Sequence, residues 1–363
     1  MKKRHSIKDI AKALDVSATT ISFVVNGKGK EKKISDEMIK RVLDYTDKIN
    51  YKPNRIAHSL RTGETKILVF MVEDISNQFF ARIARTMEDL AYAKGYRVLF
   101  CSNENEDGRA RDLINVFLER QVDGFILVPS SGIEADIAEL VATETPVILF
   151  DRYFPGLETH YLVIDNYTAS YRAARHLIDN QYSRIAFVTT DAEQLQMNDR
   201  MRGYTDALTE NGLPTTVLRV PFGDTDSERG RAMMRALFTA QPAPDAVYFS
   251  TNYLTRSGLL IIREVYGTME GIGIVTFDDN DLFRISTPTI TAVAQPMEEM
   301  AAELMRTMLQ LIKHKRAGKR VAPVQITLQA ELIRRGSSVS RVEEAPLPRG
   351  KGEGATIGEG RVR

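Results

Sequence analysis

Apolar residues in the first fifty positions recur at helical spacing. In IKDIAKAL (7–14), Ile7, Ile10, Ala11 and Leu14 share a stripe. In VSATTISFVVNG (16–27), Ile21, Val24 and Val25 fall at i, i+3 and i+4. In SDEMIKRVLDYTDKI (35–49), Ile39, Val42, Leu43, Thr46 and Ile49 are placed inward. Ser6, Ser17 and Ser35 stand where helix caps belong, and Asp15-Val16 leaves room for only a tight turn between the first two segments. The pattern predicts three short helices. The second is unusual on its outer face, which carries Ala18, Thr19, Ser22, Phe23 and Asn26 where a solvated helix carries Lys and Glu.

From Ile67 the period changes. Apolar runs at 67–72, 96–101, 124–129, 146–150, 184–189, 246–250, 272–277 and 290–295 alternate with amphipathic stretches such as FFARIARTMEDLAYAKG. Strand and helix in alternation predict parallel sheets wrapped by helices, with enough strands for two sheets, one ending near Phe150 and one starting near Arg184. In such folds ligands bind beyond the carboxyl ends of the strands, here across a cleft. The tail from Arg341, rich in Gly, Pro and charge, has no apolar period and reads as disordered.

Composition narrows the class. A chain of 363 residues, 43% hydrophobic and 27% charged, suggests two or three globular domains. No apolar run approaches the roughly 18 residues of a membrane span. MKKRHSIKDIAKAL lacks the apolar core of an export signal, and the single cysteine, Cys101, excludes an internal disulfide framework, so a cytoplasmic, nucleoid-associated location is expected. The net charge of +1 hides an asymmetry: residues 1–66 hold 16 Lys and Arg against 8 Asp and Glu, and residues 67–340 hold 28 against 36. A small basic module precedes a large acidic one.

Two short helices, a tight turn and a third packing helix describe a helix-turn-helix unit, and its basic surroundings suit nucleic acid. A helix in the major groove needs short side chains so that its backbone can approach the base edges, and the second helix offers them. GKGKEKK (27–33) reads as a basic turn able to touch phosphates. After Pro53, NRIAHSLR can form one or two turns, too short to be stable unless it docks on something.

The tandem IKDIAKALDVSATTISFVVNG and YKPNRIAHSLRTGET resembles the lactose-repressor (LacI/GalR) family of bacterial transcription regulators, and the resemblance continues to about Ser337. It implies a helix-turn-helix head (1–50), a hinge helix (51–62), a two-lobed module resembling the periplasmic sugar-binding fold for effector and dimerisation (63–337), and a tail (338–363). It implies base reading by Ala18, Thr19 and Phe23, with Thr20 and Ser22 supporting at the backbone and Ser17 and Asn26 at the ends of the same helix. It also implies Asn54, Arg55, Ala57 and His58 lining the hinge, and Leu60 as a minor-groove wedge, in keeping with apolar intercalation at a kinked step. Phe23 departs from the family, which often has Arg or His there.

Polar and aromatic residues follow the strand-like runs: SNQFF (76–80), Asp151-Arg152, NDRMRGY (198–204), STN (250–252), FDD (277–279) and AQP (294–296). Forks and paired acceptors against rings suit a hydroxyl-rich ligand. By resemblance the effector contacts include Asn77, Phe79, Phe80, Arg152, Arg200, Asn252, Asp278 and Gln295. Tyr253 stands where the family usually has Asp. The expected partners are a pseudo-palindromic double-stranded operator, a carbohydrate effector and a second copy of the chain, with no cofactor, metal or membrane. The histidines at 5, 58, 160, 176 and 314 make no metal spacing, and no phosphate loop, dinucleotide fingerprint or nucleophile elbow occurs. The reading is a regulator, acting as a repressor, and not an enzyme. Its rivals are a global regulator controlled by a partner protein, a soluble sugar-binding protein and a sugar-metabolising enzyme.

Overall fold

The computed structural model describes residues 5–51, 64–191 and 194–339. The chain divides after Thr65 into two units. The first holds α1 (Ile7–Leu14), α2 (Ala18–Val25) and α3 (Asp36–Lys48). Ser6 and Asp9 form a reciprocal capping box on α1, and the Ser17 and Ser35 hydroxyls accept from the amides of Thr20 and Met38 at the starts of α2 and α3. Ile10, Ala11, Leu14, Ile21, Val24 and Val42 make the core, with Ile7, Val25, Ile39 and Ile49 packed against it. Leu43, expected inward, is 42% exposed. It follows Val42 by one residue and therefore lies about 100° around the helix, at the edge of a stripe that Val42 and Thr46 already fill.

The second unit builds two parallel-rich sheets. Sheet one is ordered β2-β1-β3-β4-β5-β11, from β1 (Ile67–Val72), β2 (Arg97–Ser102), β3 (Gly124–Leu127), β4 (Val147–Phe150), β5 (His160–Ile164) and β11 (Gln325–Leu328). Sheet two is ordered β7-β6-β8-β9-β10-β12, from β6 (Ile185–Thr190), β7 (Thr216–Val220), β8 (Ala246–Phe249), β9 (Gly273–Phe277), β10 (Thr291–Ala294) and β12 (Glu331–Ile333). Only β12 runs antiparallel to its neighbour, β10.

Burial on both faces explains the unbroken apolar runs. Along β1, Leu68, Phe70 and Val72 pack with Ile83 and Met87 of α4 (Gln78–Ala93) and with Leu304 and Met308 of α12 (Met297–Arg316). Val69 and Met71 face the other way, toward Ile114 of α5 (Asp107–Glu119) and Ile137 of α6 (Glu134–Ala142). Sheet two is flanked by α7 (Asn166–Asp179), α8 (Leu195–Glu210), α9 (Glu228–Thr239), α10 (Asn252–Tyr266) and the short α11 (Asp281–Ile285). The chain passes between the lobes three times, after β5, β10 and β11. The first sheet therefore does not end at Phe150 but takes in β5 and, from the far end of the chain, β11. Among the described residues no helix is long and apolar enough to cross a membrane, and no cluster of His, Cys, Asp and Glu could hold a metal ion.

Candidate functional site

In the head, Ser17, Ala18, Thr19 and Asn26 are exposed, and Thr20, Ser22 and Phe23 are half-buried, all on or beside α2. Four of them are already engaged. Ser17 caps Thr20 through its amide at 3.0 Å and meets its hydroxyl at 2.9 Å, and the Asn26 amide donates to the Ser22 carbonyl at 2.7 Å. Ala18, Thr19 and Phe23 remain as the free outer face, with the Lys32 ammonium 5.7 Å from the centre of the Phe23 ring. Arg41 donates to the Leu14 carbonyl at 3.1 Å, tying α3 to the end of α1. The expected hinge contacts Asn54, Arg55, Ala57, His58 and Leu60 lie outside the described residues.

In the second unit both sheets have a topological switch beside their first strand, where the carboxyl ends open a crevice. Six of the eight expected contacts, Asn77, Phe79, Phe80, Arg200, Asp278 and Gln295, line one cavity between the lobes. Asn252 reaches it indirectly, its amide donating to Asn77 Oδ1 at 3.2 Å. Arg152 does not reach it. Its nitrogens donate to the Pro129 carbonyl, to Glu73 at 3.3 Å and to Asn105, so it holds its own lobe together. Arg152 stands two positions after the end of β4, and it is the residue between, Asp151, with left-handed backbone, that faces the cavity.

Asp151, Glu73, Gln196, Met197, Thr251 and Tyr253 complete the lining and were not singled out from sequence as contacts. The sequence did signal Asp151 through its place at a strand end, and Tyr253 as a departure from the family pattern. Gln196, near the start of α8, carried no signal. Asp151 and Asp278 both adopt left-handed backbone, φ 67° and 69°. Asp tolerates that region better than most side chains, and such strain gathers at functional sites.

The polar groups are unevenly satisfied. Arg200 donates to Asn166 at 2.8 Å and to the Ser250 carbonyl at 2.7 Å, and its guanidinium lies 3.5 Å from the centre of the Phe277 ring. Asp278 accepts from Gln295 at 2.6 Å, and Asp151 accepts from Gln196 at 3.1 Å. The carbonyl oxygens of Gln196 and Gln295, both buried, have no partner among the described residues. Burial pushes the Asp151 carboxyl up to about 6, against the pull of Arg152 and Arg200, and also raises Asp278. Burial raises the Tyr253 hydroxyl as well, with Glu73 across the cleft adding to it.

The cleft is shut. Its cavity measures about 30 Å³, room for about two waters. The Asn77–Asn252 and Asp151–Gln196 bonds and the Arg82–Asp281 ion pair at 2.8 Å all run from one lobe to the other. A larger hollow of about 450 Å³ lies beside α7, lined by Arg172, Arg175, His176 and Arg334 among others, and no expected contact reaches it.

The profile of bacterial regulatory proteins of the lacI family matches residues 6–54, and that of a periplasmic binding protein-like domain matches residues 174–338. The chain is 29% identical over 342 residues to the HTH-type transcriptional regulator DegA of Bacillus subtilis, covering 92% of this chain and 98% of that protein. Residues 6–54 thus form a lacI-family regulatory domain, joined to a periplasmic binding protein-like domain, in a chain whose relatives are lacI-family regulators. A further lacI-family relative, catabolite control protein A of Priestia megaterium, is 29% identical over 309 residues, 83% of this chain and 90% of its own length. The fold is shared with the Cra transcriptional dual regulator of Pseudomonas putida, solved with fructose 1-phosphate, at 24% identity and a TM-score of 0.67 over 75% of this chain and 99% of that one. With that head and those relatives the chain is a DNA-binding transcription regulator.

Proposed function

We propose that this regulator is a repressor that reads a pseudo-palindromic operator as a homodimer and releases or grips it according to a small hydroxyl-rich effector held between the lobes. The carrying observation is the shut cleft itself. It concentrates buried polar groups from both lobes, two of them lacking any partner, and such groups are costly unless something fills their valence. The effector acts only through its differing affinity for the DNA-competent and incompetent forms. Ala18, Thr19 and Phe23 read base edges, Ser17, Thr20, Ser22 and Asn26 shape and anchor their helix, and the lysines at 28, 30, 32 and 33 meet phosphates. Leu60 is the minor-groove wedge, with Asn54, Arg55, Ala57 and His58 around it. The protein works in the cytoplasm at the nucleoid.

The test is a thermal-shift screen of the full chain against sugars, sugar phosphates and nucleobases, followed by operator titration with each hit. A ligand at 100 times its Kd adds about 2.7 kcal/mol of stability. A hit that also changes operator affinity upholds the reading. Operator binding indifferent to every compound that binds would move control to a partner protein. In the same titration Leu60→Ala weakens operator binding and leaves effector binding intact.

A further inference from the structure

The donors and acceptors left over in the cleft specify more than a hydroxyl-rich guest. Among the described residues three acceptors line the one cavity without full partners: the carbonyl oxygens of Gln196 and Gln295, and the Asp151 carboxylate, whose one hydrogen bond comes from Gln196. Their amide ends are committed, Gln196 to Asp151 and to Gln194 Oε1, Gln295 to Asp278. No described cation lies within ion-pair distance of Asp151, while Glu73, the other carboxylate of its lobe lining the cavity, is paired with Arg152. The positive groups are largely spent. Arg152 is consumed inside its lobe, and Arg200 has two nitrogens bonded to protein and its plane over Phe277. A phosphate or carboxylate guest would therefore meet carboxylates and acceptor oxygens with no free bidentate fork to receive it.

We propose that the effector of this cleft is an amino sugar or related amino polyol, whose protonated amine sits among Asp151, Gln196 Oε1 and Gln295 Oε1. The inference rests on the effector reading above and narrows it. An ammonium donates three hydrogen bonds and accepts none, which matches three acceptors. Its charge supplies the counter-ion that the buried Asp151 carboxylate lacks, and Asp151 is held up to about 6 without it. The ligand's hydroxyls take the remaining Arg200 nitrogen. Tyr253, Phe79 and Phe80 supply the apolar walls. Because the cavity is shut, the amine enters by parting the Asp151–Gln196 bond between the lobes and then rejoins the two groups through itself.

The experiment is calorimetric titration of the full chain at pH 7 with matched sets: 2-, 3- and 6-amino hexoses, the parent hexoses and the hexose 6-phosphates. At least one amino hexose is expected to bind tenfold or more tightly than its parent, with its phosphate counterpart weaker still. Asp151→Asn should erase that preference while keeping a cooperative melt. Equal or tighter binding by a neutral hexose or a phosphate overturns the amine assignment and leaves the effector reading standing. A blank across all three sets overturns both.

Discussion

Asp151 and Arg152 stand side by side at one strand end and carry opposite duties, and each supports a prediction. Burial lifts the Asp151 carboxyl from an ordinary 3.8 to about 6, so the folded chain keeps a proton there that the unfolded chain has released. The stabilisation from that proton is full below pH 4, fades as pH rises and is gone above 6. At neutral pH the ionised group costs the fold about 3 kcal/mol. Asp151→Asn should therefore raise stability at pH 7.5 by up to that amount, with the gap closing by pH 4, as urea melts at the two pH values would show. Arg152 behaves oppositely. Arg152→Ala leaves Glu73 buried without its partner and should cost about 3–5 kcal/mol in the same melts. A strand-end Arg reads in sequence as a ligand fork. Only the folded backbone, left-handed at Asp151, shows that Asp151 takes the cavity.

At the scale of elements, α2 is legible because two demands meet in eight residues: an apolar stripe inward and a cap at Ser17. Ser17→Ala should cost the head about 1 kcal/mol. The Thr20 amide, which the Ser17 hydroxyl holds at 3.0 Å, should then exchange its hydrogen about fivefold faster in the full chain. The eight runs read from sequence as strands are all strands, and in all but the edge strand β2 burial on both faces leaves continuous apolar side chains. β5, β7, β11 and β12 were not read. Of these, β7, β11 and β12 are edge strands, and TVLRV, QITL and ELI are short and largely exposed or half-buried, so they lack a continuous apolar run. HYLVI of β5 follows a loop with no helical stretch before it, so the alternation that marks the others is missing.

Across the whole second unit, three chain crossings make the lobes one body whose opening is set by a few contacts. Arg82–Asp281 is the most exposed, with side chains 35% and 64% accessible. Such a pair is worth at most about 1 kcal/mol. Arg82→Ala should therefore change effector affinity by less than about fivefold, measured by titration. Asn77→Ala, which removes both a cap on Phe79 and the half-buried link to Asn252, should change it more. The basic head and acidic module, the helix-turn-helix spacing and the parallel sheets could be read from the sequence alone, while the family resemblance named six of the twelve residues that line the cavity. The first three are local matters. They depend on local periodicity, capping and charge, which neighbouring residues determine. The closure of the cleft, the turning of Arg152 into its lobe, the recruitment of Gln196 and the pairing of β11 with β5 were decided by tertiary structure. Each joins residues tens to more than a hundred positions apart, where partner, burial and valence are set by packing and leave no periodic trace in the chain.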